Sequence, residues 1–194
     1  MKKLLFLDAC IRGGDSRTRQ LCETYLDAYL EKNPETQVES VSLINQDIKP
    51  FTYEHLQRRD AFIGAHNFKD PMFDLAKQLK EADIVVVGTP YYDFSFASIL
   101  KVYVENIVVC DLTFESTEEG LKGLCNGEKL VYITTAGGPI GNKNLGYEYM
   151  DVLARNMLGI KETQCFAADM LDVDGMDADE IMESVKDEIR ASME

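Results

Sequence analysis

The chain is short of cations: 20 Lys and Arg stand against 34 Asp and Glu, for a formal net charge of -14. A field of that sign repels a phosphate backbone and an anionic lipid surface, so nucleic acid and membrane are excluded as partners. No stretch approaches the roughly 20 apolar residues that a spanning helix needs. The N-terminal MKKLLFLDAC has the charged front of a secretion signal, yet its apolar run Leu4 to Leu7 meets Asp8 at once and reads as a buried strand. The five cysteines (Cys10, Cys22, Cys110, Cys125 and Cys165) form no C-x-x-C pair. That removes the zinc and dithiol signatures and fits a reducing, cytoplasmic setting. G-x-G-x-x-G and the P-loop lysine are missing too. The two histidines, His55 and His66, lack a carboxylate or nucleophile at a suggestive spacing and read as surface or helix-packing residues.

What is present is an ordinary globular composition, 45% hydrophobic and 28% charged over 194 residues. It predicts one domain spanning 1-194 with a short insertion at about 111-126. Residues 3 to 9 form an apolar run that passes through ACIRGGDSR into a helical pattern with Leu21, Tyr25 and Ala28 on one face. Thr36 to Leu43 alternates imperfectly, as a strand near a sheet edge does, and the polar stretch from Asn45 to about Lys69 reads as loop then helix. Pro71 opens a helix through Phe73, Leu75, Ala76 and Leu79. The run Asp83 to Gly88 is β-branched almost throughout, as in a strand buried on both faces of a parallel sheet. A helix from about Ala97 to Cys110, an irregular acidic stretch, and strands at Lys129 to Thr135 and Thr163 to Ala168 follow, with helices at about Gly146 to Leu158 and Ala178 to Met193. Strands alternating with helices predict right-handed crossovers and an α/β doubly wound sheet with helices on both faces. Five strands without a sixth favour the flavodoxin-like order 2-1-3-4-5.

In such a sheet, ligands bind beyond the carboxyl ends of the strands, which singles out loops 9-18, 89-95 and 135-141. The first carries Arg12, Arg17 and Arg19 against Asp15, with Ser16 and Thr18 hydroxyls at a helix start where free N-H groups favour a phosphate. The alternative is that Asp15 or Ser16 simply caps that helix and the arginines are solvated. The second places Tyr91, Tyr92 and Phe94 around Asp93 after a buried strand, either to stack on something flat or to plug the sheet top. The third, TTAGGPIG, allows close backbone approach at its glycines. A phosphate seat, an aromatic wall and a close backbone approach together describe what flavin mononucleotide requires.

These residues resemble the FMN-dependent NADH:quinone oxidoreductases, which include the NADH azoreductases. The resemblance rests on Cys10 through Ser16, Arg17 and Thr18 after the first strand, and on Pro90-Tyr91-Tyr92-Asp93-Phe94 followed by Leu100-Lys101-Val102-Tyr103. It extends to Thr113-Phe114 and to Gly123 through Lys129 leading into Thr135-Ala136-Gly137-Gly138. It implies that Ser16, Arg17 and Thr18 hold the FMN phosphate, with Cys10 where serine is usual. It further implies that Pro90, Tyr91, Tyr92, Asp93 and Phe94 line the flavin ring, and that Thr135, Ala136, Gly137 and Gly138 meet its other edge. Members are homodimers with the active site at the subunit interface, where Phe114 would line the substrate pocket. The implied chemistry is ping-pong hydride transfer from NADH or NADPH through flavin N5 to a small aromatic electron acceptor such as a quinone or azo compound. The flavin carries that chemistry, so no catalytic side chain is expected.

Rival readings are a flavodoxin-like electron carrier and an FMN reductase that passes reduced flavin on. A cysteine phosphatase loop is a third, but it requires five residues between Cys10 and its arginine, and Arg17 follows six. In the acidic C-terminal segment Asp172, Asp174 and Glu183 imitate a calcium loop, but Asp177 stands where the turn glycine belongs, so no metal site is expected. Asp93 replaces an asparagine of the family, and a carboxylate beside the ring disfavours anionic reduced flavin unless burial or a partner neutralises it. The Asp93→Asn variant is therefore expected to raise the midpoint potential of bound flavin, and an unchanged potential in spectroelectrochemical titration would overturn that expectation.

Overall fold

The computed structural model describes residues 1–193. In chain order the elements are β1 (Lys3–Asp8), α1 (Arg17–Lys32), β2 (Gln37–Ser42), α2 (Tyr53–Gly64), α3 (Asp74–Glu81), β3 (Ile84–Gly88) and two short strands, β4 (Tyr91–Tyr92) and β5 (Ser95–Phe96). Then come α4 (Ser98–Ile107), β6 (Phe114–Thr117), β7 (Gly120–Gly123), β8 (Lys129–Thr135), α5 (Leu145–Leu153), β9 (Glu162–Ala168) and α6 (Ala178–Ala191). Five strands pair in parallel in the order β2-β1-β3-β8-β9, which is the flavodoxin-like 2-1-3-4-5 arrangement expected.

Period-two alternation in the three central strands builds two cores. Leu5, Leu7, Val85, Val87, Leu130 and Tyr132 face one helical layer together with residues of α3, α4 and α5. Leu4, Phe6, Ile84, Val86, Val131 and Ile133 face the other, against α1 and α6. Every residue of β3 is buried, which is why its sequence shows no polar alternation. At the edge, β2 has only β1 as a neighbour and exposes half its residues, hence the imperfect alternation of QVESVS.

Side-chain caps set several helix starts. Ser16 opens α1, Thr52 opens α2, Asn144 opens α5 and Asp177 opens α6, each accepting from a backbone N-H of the first turn. Pro71 lies in a single 3-10 turn, Pro71–Phe73, capped by Asp70, and α3 follows it directly. α5 passes at Ala154 into a π turn ending at Gly159, where φ is +83°.

Two stretches read as loops carry hairpins. β4 and β5 pair antiparallel around Asp93 and Phe94, both at positive φ (50° and 66°), the geometry of a primed two-residue turn. β6 and β7 pair antiparallel in the acidic segment, turning through Glu118 and Glu119 to Gly120. Glycine and acids have poor strand propensity, which hid this hairpin in the sequence. Its base packs on the π turn: a Cβ on Gly123 would stand 2.1 Å from the backbone of Leu158 and Gly159. Gly123→Ala is accordingly expected to cost about 1–3 kcal/mol of stability, read as a lower urea midpoint, because backbone cannot move aside as a side chain can.

Candidate functional site

The register brings the carboxyl ends of the central strands to one level, with Asp8 opposite Gly88, Gly88 opposite Ile133, and Thr135 opposite Ala168. Above them lies a cleft of about 270 Å³ lined by residues of four loops, among them Ser16, Arg17, Thr18, Pro90, Tyr91, Tyr92, Thr135, Ala136 and Gly137. Nine sequence-predicted residues therefore meet in one place.

Ser16 caps α1 by accepting from Arg19 N at 3.3 Å, so the capping alternative holds as well. The remaining early N-H groups of α1 have no intrahelical acceptor and form, with the helix dipole, an anion seat at the cleft. Thr18 is buried, and its hydroxyl lies 2.7 Å from that of Thr135, which ties the start of α1 to the end of β8. Thr89, also buried, accepts from Ala97 N at 3.1 Å and closes the base of the β4–β5 hairpin.

The other predicted residues stand around the cleft rather than in its lining. Cys10 is buried below it, its thiol 3.7 Å from Gly88 O and its N-H donating to the Asp8 carboxylate at 2.9 Å. Asp93 and Phe94 occupy the exposed turn of the hairpin, Phe94 at 73% exposure. Asp93 is exposed and has no ion pair among the described residues. Gly138 follows the lining residue Gly137, with open space where its Cβ would be. Phe114 belongs to the β6–β7 hairpin and is absent from the cleft lining of the single chain.

A fourth loop was missed. Leu171 and Asp172, after β9, complete the lining, and the rule about strand ends could have named them. Hydrogen bonds lace this loop to the third: Leu171 N donates to Ala136 O, Asp172 N to Gly137 O at 2.9 Å, and Ile140 N to the Asp169 carboxylate at 2.9 Å. Asp172 pairs with Arg17 at 2.8 Å, and Glu183 pairs with Arg190 on α6.

The local positive charge expected from residues 12 to 19 is largely compensated. Arg19 pairs with the buried Asp8 at 3.4 Å and with Glu23 at 3.0 Å, and Arg17 pairs with Asp172. Arg12 has no ion pair among the described residues. The counter-ions lie outside the window counted, one of them 155 residues away along the chain.

These residues fit a flavin mononucleotide. Tyr91 lines the cleft with Tyr92, and its phenolic oxygen is itself buried without a hydrogen-bond partner among the described residues. A larger concavity, about 720 Å³, is an apolar groove between α4 and α5 far poorer in convergent polar groups; its lining includes Val104, Tyr149 and Val152.

A protein-family model described as flavodoxin-like fold matches residues 2–193. An FMN-dependent NADH:quinone oxidoreductase of Clostridium perfringens is 32% identical over 187 residues, covering 94% of this chain and 93% of its own. One from Clostridium beijerinckii is 32% identical over 197 residues, with 98% and 97% covered. An FMN-dependent NADH-azoreductase of Bacillus anthracis, solved in complex with FMN, superposes at a TM-score of 0.85 with 23% identity, over 100% of this chain and 98% of that one.

Burial pushes the Cys10 thiol up to about 12, helped by the Asp8 carboxylate. A thiol held protonated in this way lacks the thiolate that a phosphatase reading needs as its nucleophile. Cys10 is expected to stay unmodified by iodoacetamide in the folded protein at pH 8 and to react in urea, as peptide mass spectrometry would show.

Proposed function

The chain belongs to the flavodoxin-like-fold family and groups with its FMN-dependent NADH:quinone oxidoreductases, so it is an FMN-dependent oxidoreductase, and from that premise we propose that it reduces quinones, azo compounds or similar flat electrophiles at the cleft described above. The observation that carries the proposal is the convergence of an anion seat, aromatic side chains and open backbone at the carboxyl ends of β1, β3 and β8. FMN, when bound there, would supply the hydride chemistry between NADH or NADPH and the acceptor.

The chain's own residues bind and orient. Ser16 offers its hydroxyl, and Arg17 and Thr18 offer early N-H groups of α1, to the FMN phosphate. Arg17 adds a planar guanidinium suited to paired contacts. Pro90, Tyr91 and Tyr92 form the wall against which a ring lies, and the exposed Phe94 extends that wall outward. Thr135, Ala136, Gly137 and Gly138 bring backbone to its other edge. Cys10 acts beneath these groups, by holding the first loop to Asp8 and Gly88, rather than as a phosphate ligand.

The protein is further proposed to act as a homodimer. Leu145, Tyr149 and Val152 stand exposed along the apolar groove, with Lys101 and Glu105 also in its lining, a combination that a second copy can cover with matched apolar and charged groups. Pairing would then bring the partner's β6–β7 hairpin, with Phe114, toward the active site.

The test is spectroscopic. Protein supplied with FMN is expected to hold the flavin through gel filtration, to bleach on anaerobic addition of NADH or NADPH, and to recover its colour with a quinone. Flavin that binds but is bleached by neither nicotinamide would favour an electron carrier, and no flavin binding would remove the reading altogether. The Tyr91→Phe variant, which removes the unpartnered oxygen and keeps the ring, is expected to retain FMN binding within about fivefold, since one neutral hydrogen bond contributes about 1 kcal/mol.

A further inference from the structure

The cleft carries a carboxylate where an anion is to bind. Asp172 lines it together with Arg17 and joins Arg17 in an ion pair from its Oδ1 to Nη1 at 2.8 Å; the same Nη1 lies 3.4 Å from Leu171 O. We infer that Asp172 sets how weakly the cleft holds a phosphate-bearing ligand: it occupies Arg17, and the ligand's phosphate must take that guanidinium from it. The inference rests on the flavin reading of the cleft given above.

Which partner moves follows from how each is held. Asp172 is fixed by its own N-H to Gly137 O at 2.9 Å and by the neighbouring Leu171 N to Ala136 O at 3.2 Å. Its carboxylate lies against Gly137 so closely that a Cβ there would stand 2.4 Å from Oδ2. The absence of a side chain at Gly137 is thus what lets the carboxylate enter. Arg17 is held only at its tip, on a long flexible stem. The pair is also open to solvent, with side-chain exposures of 43% for Arg17 and 70% for Asp172, and exposed pairs of this kind are weak and exchangeable. A phosphate monoester, with up to two negative charges and three acceptor oxygens, competes well for a guanidinium held that way.

Arg12 also lines the cleft and has no ion pair among the described residues, so it meets a phosphate without displacing a carboxylate, and Arg17 is the arginine whose availability Asp172 controls. Arg19 is committed to the buried Asp8 and to Glu23, and breaking the first would leave a carboxylate buried and uncompensated. An asparagine at this position keeps the side-chain shape and the backbone anchors but cannot hold Arg17 in an ion pair, so the phosphate meets a guanidinium that is already free. Asp172→Asn should therefore strengthen binding of FMN through Arg17, and should leave riboflavin, which lacks the phosphate, as it was.

The experiment measures dissociation constants for FMN and riboflavin by flavin fluorescence in four proteins: wild type, Asp172→Asn, Arg17→Met, and the double variant. Thermal unfolding of each apoprotein reports whether the fold is kept. In Asp172→Asn, FMN is expected to bind about three- to tenfold tighter, the size of one charge interaction in a half-solvated site, with riboflavin within twofold of wild type. On Arg17→Met the same substitution is expected to give less than twofold, because the exchange has lost its arginine. Unchanged FMN affinity in Asp172→Asn, weaker FMN binding, or an equal gain for riboflavin each overturns the inference. So does a gain that persists undiminished in the Arg17→Met background, since charge alone would then account for it. A wild-type protein that binds neither flavin would overturn the cofactor reading itself, an outcome seen before any variant is compared.

Discussion

The central strands are buried on both faces, and this constraint organises everything above them. Inside β1, β3 and β8 a polar side chain has no exposed face to occupy, so polar residues are pushed to the strand ends, where Asp8, Thr89, Thr134 and Thr135 appear within a residue or so of one level. Parallel pairing makes those ends coincide in space. The level at which apolar sequence gives out is therefore the floor of the cleft, and the hydroxyl contact between Thr18 and Thr135 and the Asp8 bond to Cys10 N both lie along it. The site is a consequence of where the sheet stops being apolar, and the helices and loops supply what stands on that floor.

Charge in the cleft obeys a different rule from charge in the whole chain. Counting residues 12 to 19 gives an excess of arginine inside an acidic protein, yet three separate parts of the fold return carboxylates to it: Asp8 from β1, Glu23 from the second turn of α1, and Asp172 from the loop after β9. Of these only Asp8 is buried, so only that pair resists exchange with a ligand or water. An acidic chain can thus keep an anion seat without a strong free field: Arg12 stands unpaired among the described residues, and Arg17 is held by an exposed and therefore exchangeable counter-ion.

How much of this was legible in the sequence depends on whether the signal was local. The strand order followed from five apolar runs and their alternation with helices, because double burial writes itself into consecutive residues such as Ile84 to Val87. Loops 9-18, 89-95 and 135-141 followed from the strand ends. The β6–β7 hairpin did not, since Glu118, Glu119 and Gly120 give no strand period, and its docking depends on a contact between Gly123 and Leu158 that no local pattern encodes. Nor did the fourth loop: Asp172 looked like part of a solvated acidic face because Arg17, its partner, lies 155 residues away. Helix α2 was placed only loosely because none of its residues is fully buried, and a helix without a buried face has little periodicity to read.

The β4–β5 turn shows a cost that the fold alone does not repay. Asp93 and Phe94 both hold positive φ, and for a side chain as large as phenylalanine that conformation costs on the order of 1–3 kcal/mol. Asparagine or glycine would make the same primed turn with less strain. The turn also holds Phe94 at 73% exposure and Tyr92 at 39%, so the strain is not offset by burial within the chain. A sequence that places aromatic residues on a strained, solvent-facing turn at the mouth of a cleft gains stability from them only when something apolar covers them. A flat ring lying on Tyr91 and Tyr92, or the surface of a second copy closing over Phe94, would provide that cover. The proposed flavin and the proposed second copy would then each offset strain that the isolated chain leaves uncompensated.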